Sequence, residues 1–224
     1  MLMKKIFLMI IILSLSCFLS AEKRSSISFG INSSNVKYYH NNESEYNRTS
    51  LTPSSKLGIN IGFNRLLKFG ASEFILHVGY EGRGYRTVHS DDVYKKCIGY
   101  FHTSMLYSLP LDINSKFKPL AGFDVGLPMY DWSSYGSYDA DFEILPWGHL
   151  SFIDYGILFG GEYFYTDRVS ISAIYYIGWK DIFNGFNDFE GYDSFDEDQA
   201  FNRSLKINLN FYTESRRDKN IIVY

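Results

Sequence analysis

Cysteine is nearly absent from this chain, and its scarcity excludes a fold held together by disulfide bonds. The 224 residues include two cysteines, Cys17 and Cys97. Cys17 lies in an N-terminal segment that we expect to be removed on secretion, so a single cysteine remains and an internal disulfide cannot form. The mature chain must therefore derive its stability from packing and hydrogen bonding.

Long hydrophobic runs are also absent, with one exception at the N-terminus. Two lysines precede an uncharged apolar run over residues 6–19, and small residues follow it up to Ala21. This order is typical of a cleaved signal peptide over residues 1–21. Cys17 leaves lipidation open as an alternative, although Ser14 stands where a lipoprotein signal usually has leucine. The mean hydropathy of the whole chain is only −0.16, so transmembrane helices are not predicted beyond this leader.

The chain has no excess of positive charge. Its formal net charge is −3, from 22 basic and 25 acidic residues. The leader carries Lys4 and Lys5 and no acidic residue, so its removal changes the net charge from −3 to −5. An acidic chain of this kind is not expected to attract a polyanion, and we predict no nucleic-acid partner.

Aromatic residues, by contrast, make up 18% of the chain, and apolar and polar residues alternate in eight segments. Residues 57–64, with the sequence LGINIGFN, show this alternation most clearly. A β-strand projects successive side chains to opposite faces, so each segment would have one apolar and one polar face. No helical period competes with this pattern. The predicted strands cover residues 25–39, 55–67, 71–88, 96–111, 117–131, 152–166, 169–183 and 200–213.

The connections between these segments alternate between long and short. The predicted long connections are 40–54, 89–95, 132–151 and 184–199, and the short ones are 68–70, 112–116 and 167–168. This alternation is typical of an up-and-down barrel whose chain ends both face the periplasm. The predicted fold class is therefore all-β, an eight-stranded antiparallel up-and-down transmembrane β-barrel. It would occupy residues 22–213 and be followed by a C-terminal tail over 214–224.

Closure of the sheet is expected because hydrocarbon offers no hydrogen bonds to an open sheet edge. Aromatic residues such as Tyr85, Trp132 and Trp179 lie near the predicted strand ends, as in the aromatic girdles of outer-membrane barrels. The predicted location is the bacterial outer membrane, reached across the inner membrane by means of the cleaved signal peptide. A soluble periplasmic barrel is the alternative.

Three stretches resemble the PorT-like outer-membrane β-barrel domains, which are similar in shape to the OmpA-type barrel. They are residues 74–85 (FILHVGYEGRGY), 153–163 (IDYGILFGGEY) and 174–182 (IYYIGWKDI). The resemblance implies an eight-stranded barrel in the outer membrane of a Gram-negative-type bacterium, and it supplies no catalytic residues. The chain departs from many such barrels at its C-terminus, where a polar stretch follows the aromatic residues of the last strand.

Several ionisable side chains are predicted to face the lumen. Eight strands leave an interior just wide enough to be filled by side chains, and buried charges require partners. The main interpretation is a plug of mutually paired charges, and a gated ion path is the alternative. An open metabolite channel would need a wider barrel. The candidate site residues are His77, Glu81, Arg83, Asp124, Asp154, Glu162, Lys180 and Lys206.

An enzymatic alternative rests on His102 and Ser104, which share one face of the fourth strand. Such spacing can place a general base beside a nucleophile, and the pair is similar to one that acts at the lipid-facing surface in lipid A deacylases. The sequence identifies no acid that would orient His102. Two polar lumen residues are therefore the preferred interpretation, and we predict no enzymatic activity and no cofactor.

The last long connection is rich in acidic residues and has no basic residue between positions 184 and 199. Carboxylates bind calcium, but their spacing is not that of an EF-hand, so a solvated surface loop is preferred and no metal is predicted.

The functional prediction is a non-enzymatic anchor whose surface loops serve interaction, adhesion or envelope integrity. A small pore or a component of a secretion or assembly machine is the alternative, and a lipid-modifying enzyme is the third possibility. The expected partners are outer-membrane lipid and lipopolysaccharide, the barrel-assembly machinery, and a surface or periplasmic protein.

Overall fold

Eight long β-strands form a single sheet that curls and closes on itself. The computed structural model describes residues 24–40, 54–69, 72–89, 92–109, 115–135, 141–144, 153–181 and 198–214. Within these ranges the chain has no helix of the length and hydrophobicity that a membrane crossing requires. The strands are β1 (Ser25–His40), β2 (Ser54–Phe69), β3 (Ser72–His89), β4 (Asp92–Ser108), β5 (Phe117–Tyr135), β6 (Asp141–Ile144), β7 (Asp154–Phe164), β8 (Val169–Asp181) and β9 (Asp198–Tyr212).

The strand pairing shows the closure directly. Each barrel strand pairs in antiparallel fashion with its neighbours in the chain, β1 pairs with β9, and β4 pairs with β5. The short β6 pairs with positions 130–133 of β5, beyond the segment 117–126 that pairs with β7. The predicted eight-stranded antiparallel up-and-down barrel is therefore confirmed. We call the rim that carries Ser25 and Tyr212 the proximal rim, and the rim that carries His40 and His89 the distal rim.

Side chains alternate between the lumen and the outer surface along each barrel strand, as the sequence pattern predicts. In β1, Ser28 and Asn32 are buried in the lumen, while Phe29 and Ile31 are exposed on the outside. The same alternation produces a belt of exposed apolar side chains around the barrel. Members with more than half of their surface exposed are Ile31 (56%), Leu57 (75%), Ile59 (65%), Phe123 (58%) and Trp179 (54%).

The structure corrects one predicted connection. Residues 89–95 were expected to form a long loop, but β3 and β4 remain paired as far as His89 and Asp92, leaving only residues 90–91 between them. Val88 faces Val93 across this hairpin, and β-branched residues favour extended backbone. The charged residues that follow position 90 obscured this continuation in the sequence.

Two further boundaries differ from the prediction. The fourth strand ends at Ser108 rather than at residue 111, shortly before Pro110, which has no N–H to donate to a sheet. The predicted loop 132–151 contains the end of β5 and the short β6. The predicted leader, most of the acidic connection 184–199 and nearly all of the C-terminal tail lie outside the described residues.

The lumen changes in character along the barrel. A buried apolar layer lies towards the proximal rim and consists of Leu66, Ile75, Leu106, Leu120, Leu158, Ile174 and the ring of Tyr176. Charged side chains are concentrated further towards the distal rim, where Glu81, Arg83, Asp124 and Asp154 are all buried. Side chains of both layers point into the barrel interior, which is narrow in a barrel of eight strands.

Candidate functional site: the lumen charge cluster

Arg83 lies at the centre of a group of three carboxylates inside the barrel. Its Nη1 donates to Asp154 Oδ2 at 2.7 Å, and its Nη2 donates to Asp124 Oδ2 at 2.5 Å and to Glu81 Oε2 at 3.1 Å. All four side chains are fully buried. Charge-assisted hydrogen bonds of this kind are stronger than neutral ones, and they fix the guanidinium in the middle of the lumen.

Two tyrosine rings lie near the guanidinium of Arg83. Its central carbon lies 4.0 Å from the ring centroid of Tyr176 and 5.1 Å from that of Tyr100. Tyr176 also donates its hydroxyl to Asp154 Oδ1 at 2.7 Å, and Asn202 Nδ2 donates to Asp154 Oδ2 at 2.8 Å. Cation–π contacts gain strength where water is excluded, so the rings stabilise the cation while they fill the lumen.

Two more basic groups complete the cluster. Lys206 forms an ion pair with Glu81, and His102 Nδ1 lies 2.8 Å from Asp124 Oδ1. Ser204 and Asn32 donate to Glu81 Oε1 at 3.1 and 3.3 Å. We define the lumen charge cluster as Glu81, Arg83, His102, Asp124, Asp154 and Lys206. Its three carboxylates face one arginine, one lysine and one histidine, so acidic and basic side chains are equal in number.

The cluster is built from five strands, which makes it a bridge across the barrel. β3 supplies Glu81 and Arg83, while β4, β5, β7 and β9 supply one member each. Two inward-facing glycines give the cluster room. A Cβ at Gly156 would lie 2.7 Å from the Tyr176 ring, and one at Gly178 would lie 3.2 Å from Asp154 Oδ1. Larger residues at these positions would push Tyr176 and Asp154 out of place.

Glu162 forms a separate group nearer the proximal rim. Its Oε1 accepts hydrogen bonds from the hydroxyl of Tyr212 at 2.6 Å, from Asn210 Nδ2 at 3.1 Å and from Ser170. A cavity of about 40 Å³ lies between this group and the charge cluster, with Glu162 and Lys206 among its lining residues. A space of this size holds about three water molecules, which is far too little for a metabolite.

The structure brings together five of the eight predicted site residues, namely Glu81, Arg83, Asp124, Asp154 and Lys206. His77 lies beside them, with its ring centroid 4.8 Å from that of His102, and its Nδ1 lies 2.5 Å from Asn64 Oδ1. Glu162 belongs to the proximal group, and Lys180 lies further towards the distal rim on β8. The plugging role of these residues remains a prediction.

Tyr100, Tyr176 and Asn202 were missing from the predicted set, although all three are buried in the cluster. The alternation could have placed Tyr176 and Asn202 in the lumen, because each lies between outward-facing neighbours. The predicted set contains only charged residues and histidine, because the sequence gives no separate signal for a tyrosine whose ring packs on a guanidinium.

His102 and Ser104 do not form the arrangement that nucleophilic catalysis requires. An acid is present, because His102 Nδ1 lies 2.8 Å from Asp124 Oδ1, but the hydroxyl of Ser104 donates to that same carboxylate oxygen. A base must accept the proton of the nucleophile, and here Ser104 donates it to Asp124. Both residues are only 2% exposed and face the lumen, away from the outer surface of the barrel. Among the described residues, no group of three or more potential ligands is arranged to hold a metal ion.

Comparisons with known proteins find likenesses of fold but not of sequence family. No family model matches the chain, and no curated protein matches it. Neisserial surface protein A is similar in structure at 14% identity and a TM-score of 0.48, covering 85% of this chain and 99% of its own. The outer-membrane protein OprG from Pseudomonas aeruginosa matches at 10% identity and a TM-score of 0.45, covering 86% of this chain and 96% of its own. Ail of Yersinia pestis, in complex with a heparin analogue, matches at 13% identity and a TM-score of 0.38, covering 84% of this chain and 98% of its own.

These similarities are low, and the barrel fold of this chain is established by its own strand pairing. The resemblance to PorT-like domains is not tested by any of these matches and remains a prediction.

Proposed function

We propose that this protein is an integral outer-membrane β-barrel that acts as a closed membrane anchor for the segments at its distal rim. The apolar belt is the observation that carries the proposal. On β2, Leu57, Ile59, Ile61 and Phe63 are all exposed on the outer face, and they cover roughly 20 Å along the strand. A continuous apolar surface of this kind marks an interaction with lipid or protein, and it encircles a barrel whose polar groups lie inside.

The closure of the sheet supports a lipid environment over a protein partner. A barrel has no free edge, so each strand backbone finds its hydrogen-bond partners within the sheet. A soluble β-barrel would place its apolar side chains inside and its polar ones outside. Here the buried side of β9 carries Asn202, Ser204 and Lys206, while Leu205 and Ile207 are exposed.

The lumen charge cluster supports an anchor over an open pore. Arg83 and its three carboxylates cross the interior, and the apolar layer narrows it further towards the proximal rim, where most of its residues line the small cavity. The connections that join the strands at the distal rim include residues 41–53 and 182–197, which offer the longest segments for contacts outside the cell. We propose lipopolysaccharide and a surface or periplasmic protein as partners, and the barrel-assembly machinery as the route of insertion.

Two measurements test this proposal. The full-length protein expressed in a Gram-negative host should be recovered with the outer membrane, require detergent for extraction, and migrate differently on a gel before and after heating. Recovery in the soluble periplasmic fraction would contradict it. In planar bilayers the purified protein should give no steady conductance, and stable, protein-dependent channels would favour the alternative of a small pore.

A further inference from the structure

Charge is sorted between the two faces of the barrel wall. On the eight barrel strands, every Asp or Glu residue whose side chain the structure describes faces the lumen. These residues are Glu73, Glu81, Asp124, Asp131, Asp154 and Glu162. Basic residues, by contrast, occur on the outer face near the distal rim, where Arg86 and Lys95 are both exposed. The outer face there is therefore positive, although the chain as a whole is acidic.

Arg86 and Lys95 lie directly opposite each other on adjacent strands. They are register partners in the β3–β4 pairing, and both occupy outward-facing positions. Like charges at directly opposed positions are destabilising. Among the side chains that the structure describes, no carboxylate pairs with either of them. An anion placed between the two would remove this repulsion.

A third cation lies close to this pair, and a group of aromatic rings lies on the same outer face, further from the distal rim. Lys56 Nζ is 4.3 Å from the ring centroid of Trp132, and the rings of Tyr80 and Tyr130 are stacked with their centroids 6.3 Å apart. Exposed Leu57 follows Lys56 directly and belongs to the apolar belt. Aromatic rings between an apolar belt and cations are typical of the level at which lipid head groups lie.

We propose that Lys56, Arg86 and Lys95, the distal cationic patch, bind the phosphate of an anionic lipid in the leaflet that surrounds the distal rim. This inference rests on the proposed insertion of the barrel into a membrane. The guanidinium of Arg86 can donate two parallel hydrogen bonds to phosphate oxygens, and the two lysines supply further positive charge. The acyl chains of the same lipid would lie against the belt below, where Leu57 and Ile59 are exposed.

The position of the patch favours lipid over a soluble anion. Arg86 and Lys95 are exposed on the side wall of the barrel, next to the apolar belt that begins at Leu57. A membrane-bound lipid needs only to diffuse within its leaflet to reach this site. Each Lys or Arg near an anionic membrane surface increases binding about fivefold.

The test uses Trp132 as a fluorescent reporter of the lipid next to it. The full-length mature protein with Trp147→Phe and Trp179→Phe is reconstituted in phosphatidylcholine vesicles. Quenching is measured with increasing fractions of phosphatidylglycerol or of phosphatidylcholine, each labelled with a nitroxide on the fifth carbon of an acyl chain. We expect phosphatidylglycerol to be preferred well over fivefold by the wild type. This preference should fall by a factor of about five or more in the double variant Arg86→Gln/Lys95→Gln, in which Lys56 remains, and should fall to about one in 1 M NaCl.

Two controls separate the outcomes. Lys116→Gln/Arg168→Gln removes two exposed cations at the proximal rim and should leave the preference at Trp132 unchanged. A second reporter chain, with Trp132→Phe and Trp147→Phe, retains the outward-facing Trp179. One outcome would overturn the patch but not membrane insertion. In it, both lipids quench Trp179, and the preference for phosphatidylglycerol measured at Trp132 is the same in the wild type and in the double variant. Absence of quenching at either tryptophan would overturn membrane insertion itself.

Discussion

Replacement of Arg83 by methionine tests the lumen charge cluster most directly. Methionine keeps much of the length of the side chain but removes the charge, so Glu81, Asp124 and Asp154 would lose their common partner. Glu81 retains Lys206, and Asp124 retains His102 and Ser104. Asp154 would be left with hydrogen bonds from uncharged groups, those of Tyr176 and Asn202.

The size of the effect follows from this stranded carboxylate. Removal of one partner from a buried ion pair costs about 3–5 kcal/mol, because the remaining charge has neither water nor a counter-ion. We therefore expect Arg83→Met to lower the free energy of unfolding by about 3–5 kcal/mol. The further change Asp154→Asn should recover part of this loss, since it removes the charge that Arg83 had neutralised.

The assay is a urea titration of the protein folded in detergent micelles, with the folded fraction read from the mobility of unheated samples on a gel. The free energy of unfolding follows from its linear dependence on urea concentration. Arg168→Met, in the exposed turn between β7 and β8, is the matched control and should change stability by less than about 0.5 kcal/mol. A cost below about 1 kcal/mol for Arg83→Met, or an added loss with Asp154→Asn, would refute the reasoning.

Three other substitutions probe the wall, the belt and the enzymatic alternative. Gly84→Ala would place a Cβ 2.0 Å from a backbone carbonyl oxygen and should cost about 1–3 kcal/mol, whereas Gly82→Ala, whose nearest neighbour would be 3.6 Å away, should leave the urea midpoint nearly unchanged. Ile207→Lys in the middle of the belt should lower stability in lipid vesicles by about 2–4 kcal/mol, and Leu57→Lys at its distal edge by at most about 1 kcal/mol; equal costs would contradict the proposed depth. Ser104→Ala should leave the lipid A acylation pattern of the host unchanged by mass spectrometry, and an altered pattern would restore the enzymatic hypothesis.

The faces of the strands could be read from the sequence because the alternation is local. A residue such as Phe29 is exposed and its neighbour Ser28 is buried, since consecutive side chains of a strand point in opposite directions whatever the rest of the chain does. The predicted boundaries of β7 and β8 lie within two residues of those observed. The eight-strand barrel followed from such local patterns together with the requirement for closure.

The partners within the lumen could not be read in the same way. Arg83 and Asp154 are 71 positions apart, and their contact depends on how the strands are staggered when the ring closes. Alternation assigns a residue to a face but does not assign its height in the lumen. Glu81 and Glu162 therefore looked equivalent in the sequence. Glu81 pairs with Arg83, whereas Glu162 accepts hydrogen bonds from the neutral donors Ser170, Asn210 and Tyr212 among the described residues.

The origin of the lumen charge cluster in five different strands constrains how the proposed insertion into a bilayer can take place. A partly assembled sheet that carried Asp154 without Arg83, or Glu81 without Lys206, would expose a bare charge to hydrocarbon. Such intermediates are costly, so the strands cannot cross one at a time at low free energy. Concerted insertion, in which the nascent sheet is nearly circular before it becomes immersed, follows from the placement of these few side chains.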